Sequence, residues 1–370
     1  MTREAWEKFV GPMPIDLFLS EFTPRASTER PANGLAFSHS SVSQNEDGFV
    51  RSFAITGVFY TYAYDGQIRA IEESPLCPNI KFINTSRQDG RHRLKPDISI
   101  YSPDNPQSQR FLDWKMVDLW VENKKSNEDI FCNLTVMRKQ EAEDGHIRWT
   151  NSAYKICGQL LAYASALHRS QFRVFSFAVV LFGDTGRLLR CDRSGVIYSE
   201  SFDWANEPDT LFEFFWRLNF LSDVDRGYDT TVTSVEDDEA EAALSKLRTY
   251  KGLENVQTGD LHKIHVHDDH AFDNQLRYYI TPSAVWYTDA LFGRSTFGYI
   301  AYDVATSKLV YLKDFWRTDL LGIQREGDVY RELHSAQVPN IPVLGRAGDV
   351  PLSPDQANIL PLAVQRTKIT

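Results

Sequence analysis

Lys95-Pro96-Asp97-Ile98-Ser99-Ile100-Tyr101 and, further on, Leu119-Trp120-Val121-Glu122-Asn123-Lys124-Lys125 are the stretches that decide how the first half of this chain folds. Ile98 and Ile100 alternate with more polar residues, as do Leu119 and Val121, and a period of two is the mark of a β-strand. Ser102-Pro103-Asp104-Asn105-Pro106 is dense in turn formers, so the two strands read as a hairpin. Successive strand side chains point to opposite faces. Glu122 and Lys124 therefore emerge on one side and Asn123 on the other, with Asp97 able to join them from the neighbouring strand. Two converging carboxylates suit a hard cation such as Mg²⁺, and a lysine beside them can orient a water or steady charge building on a phosphate.

Pro96-Asp97 followed by Glu122-Asn123-Lys124 resembles the core of the PD-(D/E)xK nuclease superfamily. Gln159-Leu160-Leu161-Ala162-Tyr163 resembles the Gln-x-x-x-Tyr motif that the exonuclease-like branch carries on its next helix, where residues four apart share a face. The resemblance implies an α/β, restriction-endonuclease-like mixed sheet with flanking helices. It also implies a magnesium site at Asp97 and Glu122, catalytic roles for Asp97, Glu122, Lys124, Gln159 and Tyr163, and nucleic acid as partner. Taken singly, Pro-Asp and Glu-x-Lys are background pairs, and their order on the right elements carries the weight. Retained catalysis is a separate and weaker expectation than the fold. Residues Asn45 to Ile55 have helical spacing with acids in the first turn, so Glu46 is a further candidate ligand, although capping explains it equally well. Arg87, Arg91, Arg93 and Lys95 lead directly into Asp97, either to meet phosphates or as a solvated loop.

A chain of 370 residues exceeds the usual span of one hydrophobic core, so two domains are expected. Its 42% hydrophobic content is ample for packing and excludes a disordered chain. A formal charge of −10 argues against a broad nonspecific nucleic-acid surface. Cys77, Cys132, Cys157 and Cys191 are scattered without a Cys-x-x-Cys pair, which fits a reducing compartment. The start of the chain lacks the apolar core of a secretory signal, and no apolar run reaches bilayer length. The chain thus reads as intracellular, cytoplasmic or nuclear, with no membrane partner.

In order, residues 1–44 read as an N-terminal apolar arm and 45–234 as the nuclease-like domain. Within that domain Glu128 to His146 reads as a charged, exposed connection, and Ser152 to His168 as a helix. Phe172 to Gly183 reads as a strand buried on both faces, and Arg187 to Ser199 as a hairpin held by ion pairs among Arg187, Arg190, Asp192 and Arg193. A further helix starts near Pro208. The stretches GRLLRCDRSGVIYSESFDW and LFEFFWRL resemble the N-terminal half of the fungal-type protein kinase family, in which a nuclease-like region precedes a kinase domain. Cys191 departs from the aromatic residue more often found there.

Residues 235–260 read as an acidic linker or helix, 261–350 as an α+β, protein-kinase-like small lobe, and 351–370 as a tail. His262, His265, His267, Asp268 and His270 invite a metal reading, but strand alternation splits them between two faces. Gly293-Arg294-Ser295-Thr296-Phe297-Gly298-Tyr299-Ile300 resembles the kinase Gly-x-Gly-x-x-Gly-x-Val loop, with Ser295 at the second glycine. Lys313 on the next strand and Glu326 on the next helix then resemble the ion pair that positions the nucleotide. The resemblance implies nucleotide binding through Gly293, Ser295, Gly298, Lys313 and Glu326. Nothing after Glu332 resembles the His-Arg-Asp catalytic loop or Asp-Phe-Gly. The expectation is a kinase-family chain truncated before its catalytic half, with weak or no ATP binding and a role in binding or regulation. Apolar surface left where the large lobe belongs would call for a protein partner. A metal-dependent nuclease and a degenerate scaffold are the alternatives.

Overall fold

Runs of Val, Leu and Phe buried on both faces form the spine of the first of two units; Tyr228 closes it and Asp229 opens the second. The computed structural model describes residues 7–25, 38–40, 52–55, 58–59, 77–86, 94–102, 112–144, 151–268, 277–352 and 364–368. In chain order the first unit contains β1 (Phe9–Met13), α1 (Ile15–Phe22), β2 (Ser38–Ser40), β3 (Ser52–Ile55), β4 (Val58–Phe59), β5 (Lys81–Asn84), β6 (Ile98–Tyr101) and β7 (Leu119–Lys124). Then follow α2 (Ile130–Asp144), α3 (Asn151–Ser170), β8 (Phe175–Phe182), β9 (Thr185–Asp192), β10 (Val196–Ser199), β11 (Phe202–Asp203) and α4 (Asp209–Phe220).

Seven of these strands run β1-β10-β9-β8-β7-β6-β5, with β11 added on β9, and β2, β3 and β4 form a separate small sheet. β7 and β8 are parallel neighbours in register from Trp120↔Ala178 to Lys124↔Phe182. Parallel neighbours need a crossover, and α2 and α3 lie on it. Alternation sorts the side chains. Leu119, Val121, Phe177, Val179, Leu181 and Leu188 join Phe18 and Phe22 of α1 and Phe214 and Phe215 of α4 in one core. Trp120 points the other way and meets Tyr163 of α3 with ring centroids 5.2 Å apart, so Glu122 and Lys124, two and four residues on, share the α3 face.

Two sequence expectations need correction. Glu128 to His146 is no exposed connection: α2 occupies most of it and buries Ile130, Phe131 and Leu134. Those apolar residues fall within one turn, and the charged residues after Leu134 hide the pattern. The helix expected up to Ile55 also fails, because Ser52–Ile55 is a strand between β2 and β4. Phe53 and Ile55 alternate with Ser52 and Ala54, a period that serves a strand as well. The expected N-terminal arm contributes an edge strand, β1, parallel to β10.

Among the described residues of this unit several charges are buried beside a partner. Arg217 of α4 donates to the Leu19 and Thr23 carbonyls at 2.9 and 3.0 Å and so holds α1 in place. Arg173 sits 3.3 Å from the centre of the Tyr228 ring, and Asp118 accepts from Tyr228 Oη at 2.5 Å. Arg190 pairs with Asp192 at 2.7 Å, and Asp192 also accepts from Ser194 Oγ and the Ser194 N–H, so one carboxylate closes the β9–β10 turn. His168 is buried, and burial followed by the charges of Arg193, Arg173 and Arg190 holds it well below its ordinary value and neutral.

The second unit contains β12 (Val232–Thr233), α5 (Asp237–Leu247), β13 (His262–Val266), β14 (Arg277–Thr281), β15 (Trp286–Tyr287), β16 (Phe297–Asp303), β17 (Lys308–Asp314) and α6 (Glu326–Ser335). Its antiparallel sheet runs β12-β13-β14-β16-β15, and β17 pairs along the whole of β16 as an edge strand. The acidic run starts α5, where Asp237, Asp238 and Glu239 suit the positive end of the helix dipole. Ala240, Ala243, Leu244 and Leu247 of α5 pack on Ile280, Ile300 and Tyr302. Among the described residues, no helix is long and apolar enough to cross a membrane.

Removing one partner of a buried pair leaves a charge uncompensated. Asp192→Ala is therefore expected to lower stability by about 3–5 kcal/mol, read as a fall in the denaturation midpoint. A loss below about 1 kcal/mol, the worth of an ordinary surface pair, would contradict this account of the hairpin.

Candidate functional site

β6, β7 and α3 bring a set of polar groups together in the first unit. Glu122 is buried, and its Oε1 accepts from Lys124 Nζ at 2.5 Å and from Gln159 Nε2 at 2.8 Å. Gln159 Nε2 also lies 2.7 Å from Tyr163 Oη, and the Tyr163 hydroxyl donates to the Lys95 carbonyl at 2.6 Å. Asp97 enters from the start of β6, where its Oδ2 accepts the Asn123 N–H at 2.7 Å. Asp97, Glu122, Lys124, Gln159 and Tyr163 thus converge, while Glu46, Arg87, Arg91 and Arg93 lie outside the described residues.

The electrostatics follow from this burial. Desolvation first, then the charge of Asp97, pushes the Glu122 carboxyl up to about 7, and Lys124 only partly opposes them. Burial also raises the Tyr163 phenol, which keeps its proton for Lys95. Among the described residues, Glu122 Oε2 is buried with no hydrogen-bond partner. Among the described residues, no three or more His, Cys, Asp or Glu side chains are grouped to hold a metal. A magnesium ion, however, can be held by one or two carboxylates with waters completing its shell, so Asp97 and the open Glu122 oxygen fit such an ion.

In the second unit the loop between β15 and β16 carries Gly293 and Ser295, both left-handed, with φ of +80° and +37°. That conformation suits glycine, and Ser295 adopts it under strain. Gly298 stands opposite Lys313 in the β16–β17 ladder, and a Cβ there would meet the Tyr311 hydroxyl, so any other residue would push the exposed Tyr311 ring aside. Lys313 Nζ reaches both Glu326 oxygens at 2.6 and 2.8 Å, and Arg294 Nη2 reaches Oε2 at 2.9 Å. Burial would raise the Glu326 carboxyl, but the hydrogen bonds and charge of Lys313, then those of Arg294, hold it below its ordinary value.

Sequence reasoning missed what holds α6. Asp349 accepts from Arg317 through both oxygens, at 2.8 and 2.7 Å, and lies 3.4 Å from Arg325 at the helix start. Gly327 faces Ala347 so closely that a Cβ would sit 2.6 Å from its methyl. Asp268, singled out with the histidines, instead binds Arg331 and Arg346 at 3.1 and 2.9 Å. These contacts join residues far apart in the chain, and no local pattern announces them. His265 packs edge-on against Tyr278, as a ring in a sheet would.

A family model described as fungal protein kinase matches residues 100–363, more than half of the chain. The chain belongs to the fungal protein kinase family. Within this family member, the match takes in Glu122, Lys124, Gln159 and Tyr163 and the whole series from Gly293 to Glu326, and it begins just after Asp97. No curated protein and no solved structure matches the chain.

The raised Glu122 has a consequence for stability. A carboxyl that keeps its proton to about 7 when folded but loses it near 4.5 when unfolded makes the folded state the better proton binder in between. Stability should therefore fall as pH rises from about 4.5 to about 7, by something on the order of 3 kcal/mol, and then level off. Glu122→Gln removes this dependence, so denaturant titrations at pH 5 and pH 8 should differ less in the variant than in the wild type. An unchanged difference would show that Glu122 titrates normally.

Proposed function

We propose that these 370 residues bind nucleotide weakly through a kinase-small-lobe-like second unit, serve in binding or regulation, and transfer no phosphate by themselves. The observation carrying this reading is the Lys313–Glu326 pair beside the Gly293–Gly298 loop, on the elements where a kinase holds the lysine and glutamate that orient ATP. Nothing in these residues supplies the catalytic-loop aspartate or the Asp-Phe-Gly aspartate, so phosphoryl transfer has neither a base nor a magnesium anchor within them. Leu320, Leu321, Ile323 and Val343 are exposed apolar side chains, which supports a protein partner on this unit. Four free thiols support an intracellular, cytoplasmic or nuclear setting. Calorimetric titration with Mg-ATP is expected to give binding weaker than low micromolar. Low-micromolar binding, or phosphoryl transfer by these residues alone, would overturn the proposal.

A second reading has its own support in the first unit. The order β5-β6-β7, crossover and parallel β8, with Asp97 at the head of β6 and Glu122 and Lys124 on β7, agrees with a PD-(D/E)xK-type nuclease acting on DNA or RNA. Asp97 and Glu122 would hold Mg²⁺, which supplies Lewis acidity toward a phosphate oxygen. Lys124 presents a cation to the phosphate or to the attacking water, and Gln159, braced by Tyr163, fixes the Glu122 carboxylate. Incubated with Mg²⁺ or Mn²⁺ and linear DNA, the wild type is expected to cut and a folded Lys124→Ala variant is not. Equal cutting by both would indicate a contaminant, and no cutting by the wild type would leave the first unit a scaffold.

A further inference from the structure

Arg294 is one of the residues of the glycine loop that the resemblance leaves unassigned, and it makes three contacts that tie the loop to the β17 end and to α6. Its guanidinium donates to Glu326 Oε2 at 2.9 Å, on the carboxylate that Lys313 already holds. Its guanidinium carbon lies 4.4 Å from the centre of the Phe315 ring, which also carries Lys313 Nζ at 4.9 Å. Its carbonyl accepts the Trp316 N–H at 2.9 Å, beyond the last Phe297↔Asp314 rung of the β16–β17 ladder. One acid is thus shared by two cations, one from the strand and one from the loop.

We infer that Arg294 is a latch: by sharing Glu326 with Lys313 it holds the glycine loop down beside the lysine, and the loop lifts before the triphosphate of a nucleotide reaches Lys313. The occlusion rests on the nucleotide reading proposed above, whereas the latch itself does not. The bond is suited to opening. With the Arg294 side chain 57% exposed, its ion pair biases the loop by at most about fivefold, and its ring contact by about as much again. Ser295, strained in the left-handed region and buried, gives the loop a reason to relax when the latch is released.

Amide hydrogen exchange on the full chain tests the latch at Trp316, whose N–H is bonded to the Arg294 carbonyl. Arg294→Ala, and Arg294→Lys, which keeps the charge but not the fork or the flat face, should speed Trp316 exchange by about three- to tenfold. Ile300 and Ala301, in the middle of β16, should exchange as in the wild type. Unchanged exchange at Trp316, or equal acceleration along all of β16, overturns the latch. Titration with Mg-ATP tests the occlusion, and Arg294→Lys should bind about three- to tenfold more tightly than the wild type. A variant whose loop is released but which binds ATP no better overturns the occlusion. Failure of the wild type and both variants to bind ATP sinks the nucleotide reading and the occlusion with it, and the exchange result judges the latch independently.

Discussion

Parallel pairing of β7 with β8 is the constraint on which the first unit depends. Two adjacent parallel strands cannot be joined by a tight turn, so the chain leaves the sheet after Lys124, passes through α2 and α3, and returns at Phe175. The detour sets α3 over the Trp120 side of β7. There Gln159 reaches Glu122, and Tyr163 reaches Lys95 ahead of β6, so a chain-crossing requirement becomes a polar cluster. Slipping the pairing by one residue would turn Glu122 into the Val121 core and bury a carboxylate among phenylalanines.

The unit tolerates so many internal charges because each is placed where the backbone or a partner side chain can meet it. Arg217 caps carbonyls at the end of α1, Arg187 bridges Asp129 and the Ser199 carbonyl, and Arg173 lies on Tyr228 beside Asp118. Such groups add little net stability compared with apolar packing of the same volume, but losing one member is costly. They act as registration pins: Arg217 ties α1 to α4, Arg187 of β9 ties the start of α2 to the sheet, and Arg173 holds Tyr228 beside Asp118.

The sequence was most legible where a chemical pattern and a structural period coincide. The alternation around Ile98 and Val121, the apolar run of β8, and the order of Gly293, Lys313 and Glu326 all lie within single elements or fixed offsets. α2 was illegible because the apolar residues Ile130, Phe131 and Leu134 crowd its start and charged residues follow them, and the strand Ser52–Ile55 because four residues satisfy two periods. Of the groups that hold α6, Asp268 stands 63 residues from Arg331, Asp349 24 from Arg325 and Ala347 20 from Gly327, and only the fold brings them together. Arg294 was in plain view within a motif, but the motif directed attention to its glycines.

Edge strand β17 has a bearing on how the protein behaves at high concentration. Among the described residues no strand pairs with its outer side, the kind of margin along which copies of a chain can stack into fibrils. Lys308 stands at one end of it and Lys313 and Asp314 at the other, with Tyr311 between them. Lysines at a sheet margin discourage a second strand from docking, because its arrival would strip their water. Lys313 is drawn toward Glu326, so its ammonium shields the margin less than that of Lys308 does.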